Sequence, residues 1–155
     1  MKKWLFFLAC FAIVALLGGE SLAGRDVAKL EPVQTVYLAN QGDEIVLKTD
    51  TGAKGQGESV EEALCNLQET TSGFVFLDTA DYLLITEGQC HLIVELEDVL
   101  RPSCCICLVA EQPDMESVGA FLQIHQPETT LKDYLAGQQA LQILLTGEEG
   151  LRLVS

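Results

Sequence analysis

The sequence predicts an α/β domain, a mixed β-sheet with helices packed on it, with an α+β arrangement as the alternative. Three observations carry that prediction. Strand-like apolar runs alternate with segments of helical period from Ser59 onward. The run Ser103 to Ala110 (SCCICLVA) is almost continuously apolar, as a strand buried on both faces must be. The chain has 155 residues, 48% hydrophobic and 21% charged, which suits a single small domain with one well-filled core.

Residues 1–23 carry a secretory signature. Lys2 and Lys3 form a cationic start, and Trp4 to Leu17 is an unbroken apolar run of 14 residues. Gly18-Gly19 then breaks it, and Ser21 and Ala23 supply the small residues of a cleavage site between Ala23 and Gly24. A permanent span needs about 20 apolar residues, so a cleaved signal is expected, with a retained anchor as the alternative. Residues 24–155 then form one domain, undivided by any linker or internal repeat.

Charge narrows the partners. The whole chain has 9 Lys and Arg against 23 Asp and Glu, a net of −14. Without Lys2, Lys3 and Glu20 the remainder keeps 7 basic and 22 acidic groups, a net of −15. Such a surface repels phosphate backbones and offers no basic stripe, so no nucleic-acid partner is expected. Anionic lipid headgroups are weakly repelled as well.

Within the domain, Val33 to Ala39 and Glu44 to Thr49 read as two strands joined by the turn residues Asn40-Gln41-Gly42-Asp43. Gly52 to Gly57 reads as a flexible linker rather than a phosphate loop, because its lysine precedes the closing glycines. Ser59-Val60-Glu61-Glu62 is a capping box, followed by Val60, Ala63, Leu64 and Leu67 on one helical face. Phe74 to Leu77 and Tyr82 to Thr86 read as one or two strands. Leu92, Leu96 and Val99, with Ile93 and Leu100, have helical spacing that Pro102 ends. After the strand Ser103 to Ala110, Pro113-Asp114 starts a helix with Met115, Val118, Phe121 and Leu122 inward. Thr130 caps a further turn with Leu131, Tyr134 and Leu135, closed by Gly137, and Leu151 to Val154 returns as an edge strand.

Several of these segments together resemble the N-terminal domain of the Ger(x)C family, the C-subunit lipoproteins of spore germinant receptors. Leu22-Ala23-Gly24 is similar to the start of a lipobox, and Arg25-Asp26-Val27 with Leu30 to the charged segment after it. Gly57 to Leu64 resembles the family's helix start, Tyr82 to Glu87 its central strand, and Val99-Leu100-Arg101 its helix-ending arginine. Two positions depart from the pattern. Arg25 stands where the acylated cysteine belongs, making Leu22, Ala23, Gly24 and Arg25 a degenerate lipobox, and Thr79-Ala80 replaces a histidine before the central strand. Family members carry further domains after this region, so the chain reads as a truncated, N-terminal-like form. The resemblance implies an exported protein that works by contact with receptor membrane subunits.

The side chains that could carry chemistry read as ordinary structural groups. Without Cys10, five cysteines remain: Cys65, Cys90, Cys104, Cys105 and Cys107. An odd number excludes a fully paired framework, and one disulfide after export is the alternative to free thiols. On a strand, Cys105 and Cys107 share a face and Cys104 points the other way. A soft-metal set of Cys90, His91, Cys105 and Cys107 lacks standard zinc spacing, so buried thiols acting as small apolar groups are expected. His91 and His125 lie in no catalytic signature, and no G-x-S-x-G elbow is present. Glu61-Glu62, Glu95/Glu97/Asp98 and Glu148-Glu149 read as solvated surface. The expectation is a protein that is not an enzyme, with no catalytic residue, metal, cofactor or identifiable small-molecule substrate. It is exported to the outer face of the cytoplasmic membrane or secreted. A secreted ligand-binding module unrelated to spores and a thiol-dependent enzyme are the alternatives.

Overall fold

The computed structural model of the chain describes residues 30–137, 139–147 and 150–155. The expected signal sequence over residues 1–23, the expected cleavage site at Ala23 and Gly24, the segment Leu22 to Arg25 read as a degenerate lipobox, and the pair Glu148-Glu149 lie outside the described residues.

The strands are β1 (Leu30–Pro32), β2 (Thr35–Gln41), β3 (Glu44–Thr49), β4 (Lys54–Gly57), β5 (Phe74–Phe76), β6 (Tyr82–Thr86), β7 (Cys105–Val109), β8 (Gln142–Gly147) and β9 (Gly150–Val154). The α-helices are α1 (Val60–Thr70), α2 (Met115–Ile124) and α3 (Leu131–Leu135), and 3-10 helices cover Leu77–Thr79 and Glu87–Leu96. Seven strands form one mixed sheet in the order β4-β3-β2-β6-β7-β8-β9, and β1 pairs with β5 in a separate parallel ribbon. The inner four strands β2-β6-β7-β8 run parallel, and antiparallel pairings add β3 and β4 on one side and β9 on the other. The fold is α/β, as expected.

Strict alternation builds two cores from the same strands. Val36, Leu38, Leu83, Ile85, Cys104 and Ile106 face one side, where Ala63 and Leu67 of α1, Ile93 and Leu96 of the long 3-10 helix, and Leu131 of α3 cover them. Tyr37, Ala39, Tyr82, Leu84, Cys107 and Val109 face the other side, under Val118 and Leu122 of α2. Strands β6 and β7 are therefore apolar at consecutive positions, because no side of them meets water.

Local signals fix the helix ends. Ser59 accepts the Glu62 N–H at 3.1 Å, as the capping pattern requires. Glu62 reaches one residue further back than a capping box, taking the Glu58 N–H at 2.8 Å. Asp114 caps α2 through the Ser117 N–H, and Thr130 with Asp133 makes a complete capping box on α3. Between these helices the chain passes from one face of the sheet to the other. Thr129 and Thr130 run along the start of β7, accepting the Ile106 N–H at 2.9 Å and directing the Leu131 N–H to Cys104 O at 2.7 Å.

Two segments differ from their sequence reading. Gly52 to Gly57 is no flexible linker: Lys54–Gly57 is strand β4, with Gly55 and Gly57 buried under α1. The segment around Leu92 is a 3-10 helix that starts at Glu87 and ends at Leu96, rather than an α-helix running to Leu100. Ile93 and Leu96, three residues apart and both buried, eclipse along a 3-10 helix and so meet the sheet together. Strands β1 and β8 carry no sequence signal of their own. Ile143-Leu144-Leu145 is too short a run for periodicity to decide, and its pairing with β7 and β9 makes it a strand.

Candidate functional site

Cys104, just before β7, and Cys105 and Cys107 within it divide as the strand period requires. Cys104 is buried in the core under α1, whereas Cys105 and Cys107 belong to the core under α2. Burial pushes the thiols of Cys104 and Cys107 up to about 12. Cys105 is half-buried, and burial raises it too, with nearby Arg101 pulling the other way and Asp133 adding to the rise. The thiolate is the reactive form, so this strand holds its thiols in the inert state at neutral pH. Cys90 packs with the first core, on the side of the sheet away from Cys105 and Cys107. The sheet thereby separates the members of the soft-metal set. Among the described residues no three His, Cys, Asp or Glu side chains are gathered for a metal, and all five cysteines are free thiols.

The remaining candidates lie apart. His91 is exposed on the 3-10 helix, and His125 is the exposed C-cap of α2, stacked on Phe121 with ring centroids 4.6 Å apart. Glu61, Glu95, Glu97 and Asp98 are exposed. Arg101 has a structural task, pairing with Asp81 and donating from Nε to Ala80 O at 3.0 Å, which ties the approach to β7 to the start of β6. Thr79 accepts the Val33 N–H at 3.0 Å.

Two surface features were not legible in the sequence. The first is a groove of about 550 Å³ between the β3–β4 corner and the start of α2. Lys48 and Lys54 stand opposite each other in the ladder there, and Lys48 donates to Gln112. Asp50, Asp114 and Glu116 line the same groove, so the two lysines create no net positive field.

The second is the β9 side of the sheet. Ile143 and Val154 are ladder partners, 37% and 40% exposed, side by side on one face. On the other face a groove of about 420 Å³ runs between α2 and β9, lined by Phe121, His125 and Gln126 and by Leu151 and Leu153, which flank Arg152. Among the described residues a single helix, α2, covers that face, and it does not reach the outer strand fully. Leu151 and Leu153 are consequently half-buried where inner-strand residues are buried completely. Of the described helices, none is long and apolar enough to cross a membrane.

Compared with known proteins, the chain matches no family model, no curated protein and no solved structure.

Proposed function

We propose that the chain is an exported, non-catalytic domain that works by protein–protein contact at the outer face of the cytoplasmic membrane, with the membrane subunits of a spore germinant receptor as its partners. The observation that carries the contact reading is the adjacent pair Ile143 and Val154, large aliphatic side chains left more than one-third exposed at one end of the sheet. The segments from Leu22 to Arg101 that resemble the Ger(x)C N-terminal domain supply the compartment and the partner class. The protonated thiols of Cys104 and Cys107 weigh against the thiol-enzyme alternative, since a nucleophilic cysteine needs a lowered pKa.

The test places a photo-crosslinking amino acid at Ile143 in the native host and identifies the adducts in membranes. Adducts with polytopic receptor subunits are expected, and they should disappear when the probe is moved to exposed Glu61. Absence of such adducts, or recovery of the protein entirely in the cytoplasm, overturns the reading.

A further inference from the structure

The geometry points to β9 as a docking edge for an extended segment of a partner protein, which adds an eighth strand to the sheet. This deepens the contact reading above and rests on it.

The two ends of the sheet differ. β4, at one end, is only four residues long, presents Lys54, and has α1 packed so tightly that Gly55 and Gly57 leave no room for a side chain. Short length, a lysine and a covering helix are the usual protections of an edge. β9, at the other end, has five residues, no proline, one charge, and no partner on its outer side among the described residues. Its backbone is set for pairing. Two residues close the β8–β9 hairpin, so the Gly147–Gly150 pair exchanges the first ladder hydrogen bonds. Pairs then alternate, which turns the N–H and C=O groups of Leu151 and Leu153 outward.

Side chains say what fits. Leu151 and Leu153 line the groove beside Phe121, so partner residues opposite them are apolar. Arg152, exposed and opposite Leu145 in the ladder, alternates to the other face between them and favours Asp or Glu across the new ladder. The partner motif is therefore apolar-acidic-apolar in extended form, which is strand addition with alternate-residue specificity. A second copy fits less well. Antiparallel β9–β9 pairing centred on residue 152 sets Arg152 against Arg152, and each chain without residues 1–23 carries a net of −15.

The probe is the fluorescein-labelled peptide Val-Leu-Glu-Leu-Thr amide, with its glutamate opposite Arg152 when antiparallel to β9. Fluorescence anisotropy with residues 24–155 should show saturable binding, about fivefold tighter than for the same peptide with lysine in place of glutamate. Arg152→Glu should reverse that preference. The peptide N-methylated at both leucines should not bind, and Leu153→Pro, which removes an outward N–H, should abolish binding while circular dichroism stays native. Absence of saturable binding, equal affinity for the glutamate and lysine peptides, or unimpaired binding of the N-methylated peptide overturns the proposal. So does sedimentation showing a dimer that Leu153→Pro dissociates, which puts a second copy on the edge. Crosslinking at Ile143 reads a different face. Adducts there with a failed peptide test reject the strand-addition site alone, whereas loss of those adducts rejects the membrane-contact reading.

Discussion

Gly55 of β4 lies so close to α1 that a Cβ on it would sit 2.0 Å from the carbonyl oxygen of Ala63 and 2.6 Å from the Leu67 nitrogen. The obstacle is helix backbone, which cannot rotate away as a side chain can. Gly55→Ala should therefore destabilise the fold by about 3 kcal/mol or more, because strand and helix must separate. Gly88, with nothing within 4 Å of a Cβ, is the control. Gly88→Ala should be neutral or stabilising by up to about 1 kcal/mol. Urea unfolding of both variants checks the contrast, and equal midpoints would mean that β4 and α1 do not pack this way.

Thr35 is 0% exposed and its hydroxyl has no hydrogen-bond partner among the described residues. Valine has nearly the same shape without the polar atom. Thr35→Val should raise stability by about 1–2 kcal/mol, since an unsatisfied buried hydroxyl costs about that much. A lower thermal midpoint would reveal a partner for the hydroxyl.

Cys104 and Cys107 tie stability to alkaline pH. Their folded values rise to about 12 because burial penalises the thiolate, against an ordinary value of 9.0 in the open chain. Between these values the unfolded chain loses protons that the folded chain keeps. The contribution is full below 9.0 and is lost as pH climbs to about 12. The fall is of order a few kcal/mol, and the double variant Cys104→Ala/Cys107→Ala should show a shallower slope of thermal midpoint against pH. In native alkylation at pH 8, exposed Cys65 should react first and these two only on unfolding.

Arg25 bears on anchoring. Lipid attachment uses a cysteine sulfur directly after a Leu-Ala-Gly type triplet, and an arginine side chain cannot form that thioether. Wild type should therefore be released by cleavage near Ala23 or held by an uncleaved signal. Arg25→Cys should take up a fatty-acid label and move to the detergent phase, since two acyl chains give stable anchoring at about 0.8 kcal/mol per buried methylene. Label on wild type, or none on Arg25→Cys, would reject the degenerate-lipobox reading.

Much of this molecule is written locally. Ser59 before Glu62 and a 3.6-residue apolar period define α1, while Asp114 and Thr130 mark the starts of α2 and α3. The unbroken apolar runs of β6 and β7 announce strands covered on both sides, and the period of two assigns Cys104 to one core and Cys105 and Cys107 to the other. These features depend on residues within one turn or one strand of each other, which is the range over which capping and side-chain alternation act.

The tertiary structure decided what depends on distant neighbours. Gly52 to Gly57 has the composition of a linker, yet α1 packs against it closely enough that only glycine fits at residues 55 and 57, and β3 supplies the pairing that makes it a strand. Gln142–Gly147 becomes β8 because β7 and β9 flank it. Among the described residues, the edge of β9, with Arg152 between two half-covered leucines, is open because α2 is the one helix on that face and does not span it. Burial and ladder pairing are properties of the assembled sheet, so no local pattern could assign them to those residues.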